Sequence, residues 1–363
     1  MKTLLRLLLK TQHQRNRSGQ AKTEKGMTLV ELLVGAIMAF IIITPMLGFV
    51  VDMLNTDRRE QVKSNTEQDL QAAVDFIAQD LSQAIYIYDN NPATTSTPTT
   101  TPTGIPAIRN FIPTTDPNQT PILVFWKRQL LKNSIPLTAG IQPNDCNTNA
   151  CNDTYVLSLV AYYQIKETNS NSIWCQPSGG TCPTRIVRYQ IQDGLRDPNS
   201  TNPDPSQRYF TDVSDGQKRS SAFYIGSSTL PGFDISKPTE NVTNGAASFA
   251  NPDVRSEVLL NYIDHNSPGP AVTGNECTTA LGTPTTQTGI TIPETTLKIT
   301  DSSSPTPTNS FYACVDTARN LARVTIRGNS LRRLQADANY NPNSSAFFPT
   351  ASVQVQGRGA RGQ

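Results

Sequence analysis

A long apolar run near the N-terminus limits what this chain can fold into more than any other feature. It extends over 25 residues, from Met27 to Val51, and only Thr28, Glu31 and Thr44 in it are clearly polar. An α-helix rises about 1.5 Å per residue, so a helix over this run would cross a hydrocarbon core of roughly 30 Å. The run therefore predicts a single transmembrane helix, and the carboxylate of Glu31 near its start needs an explanation of its own.

Basic residues precede the apolar run and predict its orientation. Residues 1–26 contain seven of the 31 Lys and Arg residues of the chain and only one of its 29 acidic residues. The positive-inside rule places this arm in the cytoplasm and the rest of the chain across the membrane. An ordinary secretory signal peptide has a shorter apolar run that is followed by a small-x-small cleavage site. Here the distinctive small residue is Gly26, before the run, where a cut would release the arm and keep the helix.

The charge of the remaining chain argues against one class of partner. Beyond residue 26, acidic residues outnumber basic ones by four, although the whole chain has a formal net charge of +2. Binding to a nucleic acid relies on an excess of positive charge that faces the phosphates. We therefore expect no nucleic-acid partner.

All six cysteines follow the apolar run, in the part predicted to lie outside the cytoplasm. An even number of cysteines in an oxidising compartment indicates disulfides, and proximity in sequence favours neighbouring cysteines as partners. The resulting pairs are Cys146–Cys151, Cys175–Cys182 and, by elimination, Cys277–Cys314. A zinc site is one alternative, although the spacings C-x4-C and C-x6-C differ from the usual C-x2-C. Free thiols are the other.

The helical pattern continues beyond the membrane segment. The stretch from Asp52 to Asp89 contains neither Gly nor Pro, and apolar residues recur in it at spacings of three and four. This is typical of an amphipathic helix with one buried stripe. We predict a helix from about Met27 to Tyr88, whose stripe packs against a sheet and whose other face is charged. The stripe consists of Leu70, Val74, Ile77, Leu81 and Ile85, and the charged residues are Arg58, Arg59, Lys63, Glu67, Asp75 and Asp80.

Pro45 lies within the apolar run, with Gly35 and Gly48 nearby. Proline removes one backbone hydrogen bond and clashes with the preceding turn, so that it kinks or loosens a helix. We predict a kink of the membrane helix at Pro45.

The rest of the chain has the pattern of a β-rich domain. Only 36% of the chain is hydrophobic, it contains 26 Pro, and residues 91–103 read as a low-complexity linker. Several later runs alternate apolar and polar residues, as half-buried antiparallel strands do. They cover residues 121–130, 154–165, 184–192, 221–226, 256–263, 311–316, 321–328 and 351–356, with long polar loops notably at 193–219 and 281–309.

These patterns together predict an α+β fold, in which one long N-terminal helix packs on an antiparallel sheet domain with Pro-, Thr-, Ser- and Asn-rich loops. Four segments follow along the chain. They are a basic cytoplasmic arm (1–26), a transmembrane part of the helix (27–51), an amphipathic extracytoplasmic part (52–89) and a β-rich globular domain (90–363).

Motifs for catalysis are scarce. The sequence has no H-E-x-x-H, P-loop, G-x-S-x-G or C-x-x-C motif, and we predict neither an enzyme nor a cofactor or metal site. The two histidines do not change this, since His13 lies in the arm and His265 follows a predicted strand in a turn. Asp193, Asp197 and Asp204 lie in one loop and could bind calcium, but their spacing is not that of an EF-hand.

Five aromatic residues could stack on sugars. In strand-like runs such residues are more often part of the core or of cross-strand pairs, which is the interpretation we prefer. They are Trp126, Tyr162, Tyr163, Trp174 and Tyr189.

The residues around the start of the apolar run resemble a known processing site. Lys25-Gly26, followed by Met27-Thr28-Leu29-Val30-Glu31, resembles the prepilin peptidase site of type IV pilins and of the pseudopilins of type II secretion. The resemblance implies cleavage between Gly26 and Met27, N-methylation of Met27, and Glu31 as the fifth residue of the mature chain. Met27 stands where the family usually has Phe. Pro45 is also displaced, since many pilins have a helix-breaking proline three places further on.

The resemblance also implies what the chain does. In pilins, stacked N-terminal helices build a filament, and a carboxylate in lipid needs a partner because it costs about 2.5–3.5 kcal/mol at the centre of a membrane helix. The new amine of a neighbour's Met27 is the nearest cation for Glu31. The implied partners are prepilin peptidase, other pilins or pseudopilins, an inner-membrane assembly platform and membrane lipid. The implied location is the cytoplasmic (inner) membrane, with the C-terminal domain periplasmic or extracellular.

A narrower resemblance concerns the long basic leader, the stretch from Asp52 to Asp89 and the Cys-containing β-domain that ends in ARVTIRGNSLRR (322–333). Together they look like the cyanobacterial pseudopilins of hormogonium polysaccharide secretion. This implies a minor pilin or pseudopilin in a filament that supports polysaccharide secretion or pilus-driven motility. Two alternatives are an uncut membrane-tethered protein that binds glycans or surfaces, and a tethered extracytoplasmic enzyme whose site is built from scattered residues.

Overall fold

The fold is taken from a computed structural model, which describes residues 28–91, 104–108, 112–113, 118–147, 150–203, 208–220, 255–264, 274–286, 289–301 and 309–358. The chain divides into two compact units, Met1–Arg58 and Arg59–Gln363. Gly26, Met27 and His13 lie outside the described residues, as do Asp204, His265 and the predicted strand at 221–226.

A single long helix, α1, begins in the first unit and ends in the second. It covers 54 residues, Leu29–Ser82, and it remains helical on both sides of Pro45. The prediction that it extends to Tyr88 is wrong, because Ala84–Ile87 forms strand β1 and pairs with Lys127, Trp126 and Phe125. Alternating β-branched and aromatic residues favour this strand, and the ladder to its neighbour overrides helical spacing.

The buried face of α1 contains four residues of the predicted stripe, and it also includes a residue that the sequence placed on the charged face. Leu70, Val74, Ile77 and Leu81 are buried, as predicted. Asp80 is also buried, which contradicts its prediction as part of the charged face. Its position three residues after Ile77 turns it towards the sheet, where two cations neutralise it.

The first sheet has five antiparallel strands in the order β1-β2-β3-β4-β5. Each strand pairs with its neighbour in sequence, so the connections are those of a meander. The bounds are Ala84–Ile87 for β1, Gln119–Pro136 for β2, Cys151–Lys166 for β3, Thr184–Gln192 for β4 and Arg255–Ile263 for β5. Every predicted strand in this part of the chain, other than 221–226, falls inside one of them.

A second sheet follows, where the sequence predicted one sheet domain. It has the order β6-β7-β8-β9, again antiparallel, with bounds Lys298–Thr300, Phe311–Asp316, Leu321–Arg327 and Thr350–Gln356. Short helical segments connect the strands of the two sheets. The α-helical ones are Ile105–Ile108 (α2), Glu276–Ala280 (α3) and Glu294–Leu297 (α4); the 3₁₀ turns are Pro143–Asn147, Asp215–Gln217, Leu331–Arg333 and Pro342–Phe347.

The C-terminal part of α1 and both sheets share one hydrophobic core. Leu70, Ile77 and Leu81 of the helix belong to the same cluster as Tyr162 of the first sheet and Val324 of the second. Gly328, directly after β8, lies against side chains of the helix. A Cβ at this position would lie 2.7 Å from Cγ2 of Thr66, so the packing there requires glycine.

Three disulfides cross-link the second unit, Arg59–Gln363, which we call the globular unit. The cysteines pair as predicted. The bonds are Cys146–Cys151, Cys175–Cys182 and Cys277–Cys314, and no cysteine is free. The first closes the turn between β2 and β3, and the last ties α3 to β7 across 37 residues of sequence. Zinc ligation and free thiols do not apply to these six residues.

Candidate functional site: an exposed apolar helix and its acid

The start of α1 brings Thr28 and Glu31 into contact. The backbone N–H of Glu31 donates to Oγ1 of Thr28 at 3.3 Å, and the Thr28 hydroxyl lies 3.4 Å from Oε2 of Glu31. A threonine followed three residues later by glutamate is the pattern of a capping box, which satisfies free N–H groups at a helix start. These contacts are long for hydrogen bonds, and among the described residues no cation pairs with the Glu31 carboxylate.

The apolar side chains that follow are exposed. The most apolar part of α1 has no buried residue. Leu29, Phe40 and Phe49 expose 82%, 73% and 71% of their surface. A helix of a soluble core would bury such residues, so this segment needs a cover from outside the described chain. By its length and composition it could cross a membrane.

One narrow strip of this helix combines the acid with small residues. Glu31, Gly35 and Ala39 follow one another at a spacing of four, which places them on one side of an α-helix. Nothing lies within 4 Å of the position that a Cβ on Gly35 would occupy. Small residues at this spacing allow two membrane helices to approach closely.

Pro45 weakens the backbone hydrogen bonding of α1 in the last third of the apolar run. Because proline has no N–H, the carbonyl of Ile41 one turn earlier loses its helical donor. Next to it, the Thr44 hydroxyl donates to the carbonyl of Phe40 at 2.8 Å, a contact that tends to bend helices. The kink at Pro45 stays a prediction.

The other end of α1 is fixed to the first sheet by a buried charge cluster. Oδ1 of Asp80 accepts from Nζ of Lys127 at 2.7 Å, and Oδ2 accepts from Nε of Arg188 and from the Tyr162 hydroxyl, both at 2.7 Å. Lys127, Tyr162 and Arg188 come from β2, β3 and β4, so one carboxylate contacts three adjacent strands. The arrangement orients the helix on the sheet.

Electrostatics keep this cluster charged. Burial by itself would raise the pKa of the Asp80 carboxyl, but the hydrogen bond and charge of Arg188, together with Lys127, lower it below the usual 3.8. Burial lowers the pKa of Lys127 and raises that of Tyr162. The two cations outnumber the single acid, so removing Asp80 would leave two buried positive charges without a counter-ion.

The aromatic residues considered for sugar stacking are mostly core residues, as we preferred. Trp126, Tyr162, Tyr163 and Tyr189 are fully buried, and Nε1 of Trp126 donates to the Tyr88 hydroxyl at 2.9 Å. Trp174 is half-buried, and the guanidinium of its neighbour Arg185 lies 5.4 Å from the centre of its ring.

Two of the acidic loop residues considered for calcium, Asp193 and Asp197, have other partners. Asp193 is buried, accepts from the backbone N–H of Gly194 at 2.9 Å, and lies 3.5 Å from Arg219 and 3.9 Å from Arg196. Asp197 accepts from the backbone of Asn199 at 2.9 Å. Within the described residues no group of three or more His, Cys, Asp or Glu side chains is arranged to hold a metal ion.

Sequence reasoning identified Glu31, Pro45 and the six cysteines, and it missed the charge cluster around Asp80. Its only sequence signal was a set of charged residues at inward positions of β2 and β4, which cannot be paired without knowing the register. Comparison of the chain with models of protein families, with curated proteins and with solved structures finds no match.

Proposed function

We propose that this protein is a minor pilin or pseudopilin, a subunit of a type IV pilus-like or type II secretion-like filament. The observation that carries the proposal is the exposed apolar segment of α1 with Glu31 near its start. This segment follows a basic arm and Gly26 in the sequence, in the order that prepilin peptidase recognises in pilins. Cleavage after Gly26 and methylation of Met27 are part of the proposal.

In the proposed filament, α1 packs against the helices of neighbouring subunits. The strip of Glu31, Gly35 and Ala39 supplies a face on which a neighbour can approach closely. The carboxylate then pairs with the Met27 amine of a neighbour, because an unpaired charge in lipid is costly. The contact between the Thr28 hydroxyl and the Glu31 carboxylate is long, at 3.4 Å, and leaves the carboxylate available for this partner.

The globular unit works outside the cytoplasm. Its three disulfides fit an oxidising compartment, in agreement with the orientation that the basic arm predicts. The large domain would crowd a dense helical array, which favours a low-copy subunit, and the presence of Glu31 favours a position below the tip. The filament would support polysaccharide secretion or pilus-driven motility.

Two measurements test the proposal. Mass spectrometry of the mature N-terminus, in cells with active prepilin peptidase, should find N-methylated Met27 as the first residue. An intact leader would refute it. A Glu31→Ala chain should be cleaved as usual and enter filaments poorly. Thr28→Ala removes the cap and the local contact but keeps the Glu31 carboxylate, so it should assemble normally. Normal incorporation of Glu31→Ala would refute the assembly role, and equal loss with Thr28→Ala would reduce Glu31 to a helix cap.

A further inference from the structure

The free edges of the two sheets differ in how they are protected. An edge strand offers unpaired N–H and C=O groups to any other strand, and proteins protect edges with charges, prolines, bulges, short strands or covering loops. In the described part of the chain, the edges are β1 and β5 of the first sheet and β6 and β9 of the second.

Three of these edges are protected. On β1, the side chains of Asn320 and Thr317 donate to the carbonyls of Ala84 and Ile87, each at 2.9 Å. Strand β5 pairs irregularly with β4 and carries Arg255 and Glu257 at its start, and β6 has only three residues.

Among the residues that the structure describes, strand β9 has none of these protections. Its seven residues, Thr350–Gln356 (TASVQVQ), include no charge, proline or glycine, and they pair with β8 without a register shift. Ala351, Val353 and Val355 pack against the core yet remain half-buried, while the residues between them are exposed. Another strand along this edge would complete the burial of the three apolar side chains and satisfy the free backbone groups.

We propose that β9 pairs antiparallel with β9 of a second copy of this chain, around a two-fold axis at Val353. This register places Ser352 opposite Gln354 and Ala351 opposite Val355, and it brings the two Val353 residues together. Residues opposite each other in an antiparallel pair point to the same face, so polar side chains meet polar ones and apolar meet apolar. The two four-stranded sheets become one sheet of eight strands.

An axis at Val353, the centre of the seven-residue strand, pairs all of its residues, whereas an axis at a neighbouring residue would leave residues at the ends unpaired. Moving the axis by half a residue would place core-facing residues opposite exposed ones, which a half-buried sheet disfavours. Because β9 is uncharged, two copies meet without like-charge repulsion. This symmetric contact is separate from the proposed helix stacking and requires neither Glu31 nor cleavage.

Cysteine cross-linking of the full chain in lipid nanodiscs tests the register. All native cysteines are in disulfides, so one introduced cysteine is the only free thiol. Directly opposite residues have Cα atoms about 4.5–5.5 Å apart, within the range of roughly 4.4–6.8 Å that a disulfide spans, whereas diagonal neighbours are about 7–8 Å apart. A mixture of Ser352→Cys and Gln354→Cys chains should therefore cross-link about tenfold more than either variant alone. Equal yields, or no cross-link, would overturn the proposal.

Charge placement gives a second readout that needs no cross-link. Both positions are exposed, so the variants should fold, and the fluorescence of buried Trp126 checks this. In Ser352→Lys/Gln354→Lys, lysines face each other twice across the axis; in Ser352→Lys/Gln354→Glu, each lysine faces a glutamate. The association constant of the full chain in detergent, measured by analytical ultracentrifugation, should fall about tenfold for the first variant and stay at the native level for the second.

Equal association constants for the two charge variants would overturn the proposal, and so would a native chain that stays monomeric over the same concentrations. Glu31→Ala serves as the control that separates this inference from the proposed function. It should leave the cross-link between positions 352 and 354 unchanged, since that residue lies outside the β9 contact.

Discussion

Replacing Asp80 by asparagine removes the carboxylate that holds the end of α1 on the first sheet while keeping the shape of the side chain. In the native chain, Asp80 accepts from Lys127, Arg188 and Tyr162, and all four side chains are buried. The neutral amide can replace some of these hydrogen bonds but none of the charge. Two buried cations then face each other without a counter-ion.

The size of the effect follows from this geometry. Breaking a buried ion pair by removing one partner costs about 3–5 kcal/mol, because the remaining charge stays desolvated. Asp80 has two cationic partners, each at 2.7 Å, so we expect Asp80→Asn to destabilise the globular unit by about 4 kcal/mol. Removing Lys127 instead, by Lys127→Met, leaves Asp80 paired with Arg188 and should cost less.

Urea unfolding of the full chain in detergent micelles, followed by the fluorescence of buried Trp126, measures the loss. Asp75→Asn is the matched control, since Asp75 lies on the exposed face of the same helix and accepts from Gln71 at 2.9 Å. It should change the free energy of unfolding by less than about 0.5 kcal/mol. An Asp80→Asn chain that unfolds at the same urea concentration as this control would refute the reasoning.

Three further results are expected. Below about pH 4, acid should lower the free energy of unfolding of the native chain more than that of the Asp80→Asn chain, as measured by urea unfolding at several pH values. The reason is that the pKa of the Asp80 carboxyl is lower in the folded than in the unfolded chain, so the unfolded chain takes up the proton at Asp80 first as the pH falls. Gly328→Ala should cost about 1–3 kcal/mol, and adding Thr66→Ser, which removes the clashing methyl, should restore most of it in the same assay. Replacing Cys277 and Cys314 by serine should lower the free energy of unfolding by about 4 kcal/mol, since this bond closes the longest of the three loops; an unchanged urea midpoint would contradict its structural role.

Local patterns predicted most of the elements. The alternation of apolar and polar residues located β4 and β7 at their observed bounds, and proximity in sequence paired the cysteines. The end of α1 was missed because Ile85 continues the helical spacing of Leu81, while the partner that makes it a strand lies about 40 residues away on β2. Tertiary pairing decides such short apolar runs.

The candidate site divides in the same way. Glu31 stands out because a carboxylate in an apolar run conflicts with its surroundings, and the sequence also contained its local contact, Thr28, three residues earlier. Asp80 gave no such signal, since the cations that pair with it, Lys127 and Arg188, lie 47 and 108 residues away in the sequence. The division into two sheets depends on which strands find each other, which no single run of residues determines.

The covered edge of β1 has a consequence for the order in which the chain is made. The donors that cap Ala84 and Ile87, on Asn320 and Thr317, follow them by 236 and 230 residues. At about 5–20 residues per second, a ribosome reaches these donors roughly 12–47 s after it has passed β1. During that interval β1 has the bare edge that β9 keeps in the finished fold. A chain that stops before Thr317 lacks both donors and leaves the edge of β1 bare, so truncated products should aggregate more readily than the complete chain.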